Sequence, residues 1–76
     1  MTTEEQCQNL GHNVRVLRKK YGLSRTAMAR RLHVTIKTLD SIEAGVIPDR
    51  VGVLFLFYLQ RDFHIPISTL LMFRLE

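Results

Sequence analysis

A helix-start signal occurs twice in this chain, eleven residues apart. Ser24 can cap one helix and Thr35 a second, because a side-chain hydroxyl accepts a hydrogen bond from the free N–H groups of a first turn. An apolar pair can close over each cap, Leu23 with Met28 and Val34 with Leu39. The interval has room for two turns of helix and a short corner. Residues 25–32 and 36–44 are therefore predicted to form a helix pair joined by a tight turn.

Apolar side chains mark the inner face of this pair. Leu39 and Ile42 lie three residues apart and so share one side of the second helix. The small Ala29 lets the two helices cross closely. Gly45 can end the second helix, because glycine adopts the left-handed conformation at little cost.

The chain before this pair predicts one longer helix. Thr3 and Gln6 have the spacing of a capping box, and Gly22 can end the helix. Between them, apolar residues at steps of three and four form a stripe that should face the core: Cys7, Leu10, Val14, Leu17 and Tyr21.

The chain after the pair predicts two more helices, one capped by Asp49 and one with Pro66 at its start. No strand-like alternation bounded by hairpin turns is present. We therefore predict an all-α fold and a single domain over residues 1–76. Its five helices should cover about residues 4–20, 25–32, 36–44, 50–62 and 67–73.

The net charge of +4 is concentrated in one stretch. Eight basic residues and no acidic residue lie between Leu10 and Lys37. A segment of one sign that covers a helix pair favours a polyanion as partner. The alternative is a solvated basic face on a small protein.

Composition argues against several other functions. Cys7 is the single cysteine, which fits a reducing, cytoplasmic setting. The acidic N-terminus is no signal peptide, and the longest apolar run, 51–59, is far shorter than the ~20 residues of a membrane span. His12, His33 and His64 are scattered, and no glycine-rich phosphate loop is present. We expect neither an enzyme nor a metal or cofactor site.

The fourth predicted helix is apolar on every side, since residues 53–59 carry no charged or amide side chain. A domain of this size cannot bury the whole circumference of one helix. We expect part of it to meet a second copy of the chain, with a tightly wrapped monomer as the alternative. The expected homodimer interface comprises Leu54, Phe57, Ile67, Leu70, Leu71 and Phe73.

Taken in order, these segments resemble the lambda repressor and Cro family of helix-turn-helix regulators. Residues 10–24 resemble its opening helix and the Gly-Leu-Ser entry to its second helix. Residues 42–45, Ile-Glu-Ala-Gly, resemble its Ile-Glu-x-Gly exit, and residues 63–71 its closing segment. The resemblance implies a compact five-helix domain that binds double-stranded DNA. It also implies an ion pair between Arg18 and Glu43 that links the first helix to the third.

The resemblance places residues 36–44 in the major groove as the recognition helix. Its base-reading positions correspond to Ile36, Lys37 and Ser41, which can contact a thymine methyl, guanine acceptors and several base edges. The start of the second helix should grip phosphate, since its free N–H groups favour an anion. The expected phosphate contacts are Arg25, Thr26, Thr35, Thr38, Arg15 and Arg50.

Three residues depart from the family pattern. Arg25 stands where many members have glutamine, and His33 stands in the turn where glycine is common. Asp40 lies on the recognition helix, where its charge opposes phosphate unless it accepts from a cytosine amine or pairs with Lys37.

The sequence thus predicts a sequence-specific, repressor-like transcriptional regulator that binds DNA as a two-fold dimer. The competing interpretation is a helix-turn-helix-derived protein-interaction module or antitoxin with weak or no DNA binding, because a fold can persist when its site is lost. No residue pattern identifies a small-molecule inducer.

Overall fold

The computed structural model describes all 76 residues and is all-helical, which confirms the predicted fold class. The helices are α1 Thr3–Lys20, α2 Arg25–Leu32, α3 Ile36–Glu43, α4 Leu54–Phe63 and α5 Ile67–Met72, with a short 3-10 helix at Asp49–Val51. α1 packs against α3 and α5, and α2 packs against α3 and α4. No helix combines the length and the apolar character that a membrane crossing requires.

One cluster of twelve buried apolar side chains holds the helices together. The predicted inner face of α2 and α3 is confirmed, since Ala29, Leu39 and Ile42 all lie in this cluster. The predicted stripe on α1 is correct in its middle and wrong at both ends. Cys7 is only half-buried, and Tyr21 lies past the last turn, where it is exposed and its ring packs beside Phe63.

The cap of α1 lies one residue earlier than the spacing of Thr3 and Gln6 suggests. Thr2 is the capping residue, and its hydroxyl accepts from the backbone N–H of Glu5 at 3.1 Å. The carboxylate of Glu5 in turn accepts from the backbone N–H of Thr2 at 3.3 Å. A carboxylate suits the positive end of a helix better than the neutral amide of Gln6, which explains the shift.

α4 begins at Leu54, four residues later than predicted, and Asp49 does not cap it. Asp49 instead opens the 3-10 helix, and Gly52 follows with a φ of 71°. A right-handed helix cannot pass through that conformation, so Gly52 separates the two helical segments.

The close crossing of α1 and α3 depends on Gly11. A Cβ at this position would overlap the backbone carbonyl oxygen of Ile42, and it would lie 3.0 Å from the backbone nitrogen of Gly45. The absence of a side chain at Gly11 therefore sets how near the third helix can sit to the first.

The C-terminal residues return to α1 and are fixed there by side chains of that helix. The buried Asn13 donates to the carbonyls of Leu70 and Phe73, both at 2.7 Å, and accepts from the backbone N–H of Leu75 at 2.7 Å. His12 Nε2 lies 2.9 Å from the carbonyl of Leu75, which can only accept, so this nitrogen carries the hydrogen. These contacts brace the side of α1 that faces α5.

Candidate nucleic-acid interface

The two caps predicted from the sequence are present and shape the α2–turn–α3 unit. Ser24 Oγ accepts from the N–H of Ala27, and Thr35 Oγ1 accepts from the N–H of Thr38, both at 3.1 Å. Between the helices, His33 adopts the left-handed conformation with a φ of 57°. The turn thus forms with histidine at the position where glycine is common.

The outer side of α3 is not covered by the rest of the chain. Leu39 and Ile42 are fully buried on its inner side. Ile36, Lys37 and Asp40 are exposed away from this side, and Thr35 is exposed at the N-terminal end of the helix. The residues at the start of α3 are therefore largely open to solvent.

The three predicted base-reading residues differ in solvent exposure and in hydrogen bonding. Ile36 and Lys37 are exposed. Ser41 is half-buried, and its hydroxyl donates to the carbonyl of Lys37 at 3.2 Å. In this arrangement Ser41 can accept a hydrogen bond from a base, but it would have to release Lys37 before donating one.

Asp40 forms an ion pair with Arg25. The predicted pairing of Asp40 with Lys37 is therefore wrong. Arg25 Nη1 donates to Oδ1 at 3.0 Å and to Oδ2 at 2.9 Å. Both side chains are well exposed, 57% for Arg25 and 45% for Asp40. Arg25 is thus not the isolated cation that a plain phosphate contact would use.

The other predicted phosphate contacts fall into two groups. Arg15, Thr26 and Arg50 are exposed, as a phosphate contact requires. Thr38 does not fit its predicted role, because it is buried and its hydroxyl accepts from the hydroxyl of Thr35 at 3.0 Å. The Thr35 hydroxyl is therefore engaged with Thr38 both as donor and as acceptor.

An open groove of about 350 Å³ lies beside the start of α3. It runs between the turn and the 3-10 helix, and both Arg50 and Thr35 line it although fifteen positions separate them in the chain. Its lining residues are His33, Val34, Thr35, Thr38, Arg50 and Val51. One arginine and two threonines thus line the groove beside the start of α3.

Arg18 is turned away from this surface by an ion pair with Glu43. Nε donates to Oε2 at 2.9 Å and Nη2 donates to Oε1 at 3.2 Å. The side chains are only 16% and 10% exposed. Hydrogen bonding to Glu43 raises the pKa of Arg18 against the opposing effect of burial, and the charges of Glu43 and Asp40 add to it. The pair fixes α3 to α1.

Behind the turn, His33, Tyr58 and Arg61 form an aromatic stack that the sequence did not predict. The ring of His33 lies 4.4 Å from that of Tyr58, and the guanidinium of Arg61 lies 4.8 Å from the centre of the same Tyr58 ring. This stack connects the turn to α4. No local pattern signals it, because it depends on how α2 and α4 pack.

The predicted dimer residues divide into exposed and buried ones. Leu54, Phe57 and Phe73 are 62%, 55% and 66% exposed, so a second chain could cover them. Ile67 and Leu71 are half-buried. Leu70 is fully buried in the core and is removed from the predicted interface, because α5 uses it to pack within the same chain.

The comparisons with known proteins agree with this geometry. A family model described as a helix-turn-helix domain matches residues 9–54, which include most of α1, the whole of α2 and α3, and the 3-10 helix. No curated protein and no solved structure matches the chain.

Proposed function

Because the chain belongs to the helix-turn-helix domain family, in agreement with its resemblance to lambda repressor and Cro, we propose that it is a sequence-specific, repressor-like regulator of transcription. It would act in the cytoplasm and bind double-stranded DNA as a homodimer. The observation that carries the proposal is the exposed start of α3, with Arg50 lining the groove beside it.

The proposed reading of DNA begins with α3 in the major groove. The groove admits an α-helix, and the residues at the helix start reach the base edges. Lys37 would donate to guanine O6 or N7, Ile36 would contact a thymine methyl, and Ser41 would accept from a base amine. The exposure of Ile36 and Lys37 supports these roles, and the half-buried Ser41 hydroxyl, which donates to the carbonyl of Lys37, can still accept.

The proposed grip on the phosphates comes from both sides of α3. Arg50 lines the groove on one side, and Thr26 lies in the first turn of α2. Thr35 also lines the groove, but its hydroxyl would have to release the hydroxyl of Thr38 before donating to a phosphate oxygen. Arg15 on α1 would reach the flanking backbone. Each cation that neutralises a phosphate releases a counterion, so affinity should fall steeply with salt.

The proposed dimer would join two copies through the exposed apolar side chains of Leu54, Phe57 and Phe73. Two-fold dimers are the commonest closed assembly. Two recognition helices would then contact half-sites about one helical turn, ~34 Å, apart on a near-palindromic operator.

Salt titration of binding to a mixed-sequence duplex tests this proposal against the protein-interaction alternative. A log–log slope of about −0.9 for each neutralised phosphate is expected. Undetectable binding at low salt would contradict the proposal. It would favour an interaction module or an antitoxin, in which the exposed Leu54 and Phe57 contact a different protein.

A further inference from the structure

The ion pair between Arg25 and Asp40 joins the start of α2 to the outer side of α3. Asp40 lies one turn along from Ile36 on the recognition helix, so its carboxylate belongs to the surface that would meet DNA. An unpaired carboxylate there would be repelled by the phosphates. Arg25 removes that repulsion by placing one nitrogen against both carboxylate oxygens.

Stability of the fold does not account for this pair. Both side chains are about half exposed, and ion pairs of that kind contribute little to folding because water and salt screen them. The nearly buried pair of Arg18 and Glu43 already fastens α3 to the body of the protein. The Arg25–Asp40 pair therefore calls for an explanation at the surface itself.

The pairing leaves Asp40 able to accept further hydrogen bonds. A carboxylate offers about four lone-pair sites, and Arg25 Nη1 uses one on each oxygen. In the major groove, cytosine presents the N4 amine as a donor. Adenine also presents an amine, but its N7 acceptor lies beside it and would repel the second carboxylate oxygen. Cytosine is thus the base that a carboxylate at this place accepts from best.

We propose that Arg25 and Asp40 act as one base-reading unit, in which Arg25 neutralises Asp40 and Asp40 accepts a hydrogen bond from cytosine N4. This inference rests on the proposed DNA-binding function and adds a specificity residue to it. Arg25 Nε and Nη2, which take no part in the pair, would donate to the neighbouring phosphate.

Duplexes are selected from a randomised pool with three proteins: wild type, Asp40→Ala and Glu4→Ala. Glu4→Ala is the control, because it also removes one negative charge, from an exposed position on α1. Wild type and the control should select a motif with one cytosine that Asp40→Ala no longer prefers. Replacing that cytosine should lower the affinity of the wild-type protein for the duplex by about tenfold, and that of Asp40→Ala by less than about twofold, as measured by fluorescence anisotropy. Thermal melting by circular dichroism verifies that each variant folds.

Two further measurements test whether Arg25 and Asp40 act together. Asp40→Ala should bind mixed duplex more tightly at low salt, and its log–log salt slope should steepen by up to about 0.9, since Arg25 becomes an ordinary phosphate cation. Arg25→Ala should weaken binding to the selected motif, because Asp40 is left unneutralised. Adding Asp40→Ala to Arg25→Ala should then restore part of that binding.

The outcomes separate this inference from the proposed function. If wild type and Asp40→Ala select the same motif with equal discrimination at every position, the base-reading unit is overturned while DNA binding stands. Additive effects of Arg25→Ala and Asp40→Ala on affinity would overturn it equally. If wild type binds no duplex at low salt, the proposed function fails and the inference fails with it.

Discussion

Arg18 and Glu43 join α1 to α3 through two hydrogen bonds, from Nε to Oε2 at 2.9 Å and from Nη2 to Oε1 at 3.2 Å. The two side chains are nearly buried, so removing one partner strands the other charge in a poorly hydrated place. The pair thus fixes α3 against α1.

Glu43→Ala should therefore lower the free energy of unfolding by about 2–3 kcal/mol, between the values typical of exposed and of fully buried pairs. Chemical denaturation measures this change. Glu4→Ala is the control, because Glu4 is exposed on α1 and forms no ion pair. Equal losses for the two variants would contradict the structural role of the pair.

The same pair should not make stability vary with pH in the neutral range. Hydrogen bonding to Glu43 raises the pKa of Arg18, so the stabilisation is complete below the ordinary arginine pKa and is lost only as pH rises through the raised value. That loss lies in strongly alkaline solution. A difference in stability between wild type and Glu43→Ala that vanished at neutral pH would oppose this assignment.

Gly11→Ala should destabilise the protein by roughly 2 kcal/mol, because the new methyl group overlaps the carbonyl of Ile42 and forces α3 away from α1. Helix propensity alone predicts the opposite sign, a gain of up to about 1 kcal/mol. The melting temperature decides between the two. A melting temperature equal to or above that of wild type would show that the crossing is looser than described.

Asn13→Ala should cost about 2–3 kcal/mol, since it leaves the carbonyls of Leu70 and Phe73 and the N–H of Leu75 without their partner. Amide hydrogen exchange at Leu75 should accelerate at the same time. Gln8→Ala, an exposed change on the same helix, should leave that exchange rate unchanged. Unaltered exchange at Leu75 in Asn13→Ala would mean that Asn13 does not hold the C-terminal residues.

Lys37→Ala should relax the preference at one base position, because a specific contact to guanine contributes about 1–3 kcal/mol of discrimination. Lys20→Ala removes the same charge from the end of α1 and should weaken all duplexes alike, if at all. Selection from a randomised pool compares the two variants. An unchanged motif for Lys37→Ala would contradict its role as a base-reading residue.

Phe57→Glu should convert the proposed dimer to a monomer, because it places a charge within the exposed apolar surface proposed as the interface. Val46→Glu is the matched control, since Val46 is an exposed apolar residue outside that surface. Sedimentation velocity reports the assembly state. A wild-type protein that sediments as a monomer at all concentrations would exclude the proposed dimer.

The parts of the fold that sequence alone predicts are those set by neighbouring residues. Ser24 and Thr35 act on N–H groups three positions away, so their capping roles could be predicted. The start of α4 could have been placed better from Gly52, because a glycine before an apolar run is a common break.

The parts that sequence did not predict depend on packing between distant elements. Arg25 and Asp40 are fifteen residues apart on two helices, and their meeting is decided by the angle at which α2 and α3 cross. Asn13 meets the C-terminal residues across 57 to 62 positions of chain. Likewise, the burial of Leu70 follows from the orientation of α5, which its short apolar sequence leaves open.

The proposed function requires that the exposed start of α3 contacts DNA. This contact can be measured from the amide chemical shifts of the isotope-labelled protein during titration with a selected duplex. We expect the largest changes between Thr35 and Ser41 and at the start of α2, while Asn13 and α5 change little. Changes confined to Leu54, Phe57 and their neighbours, with α3 unaffected, would show that α3 does not bind the duplex.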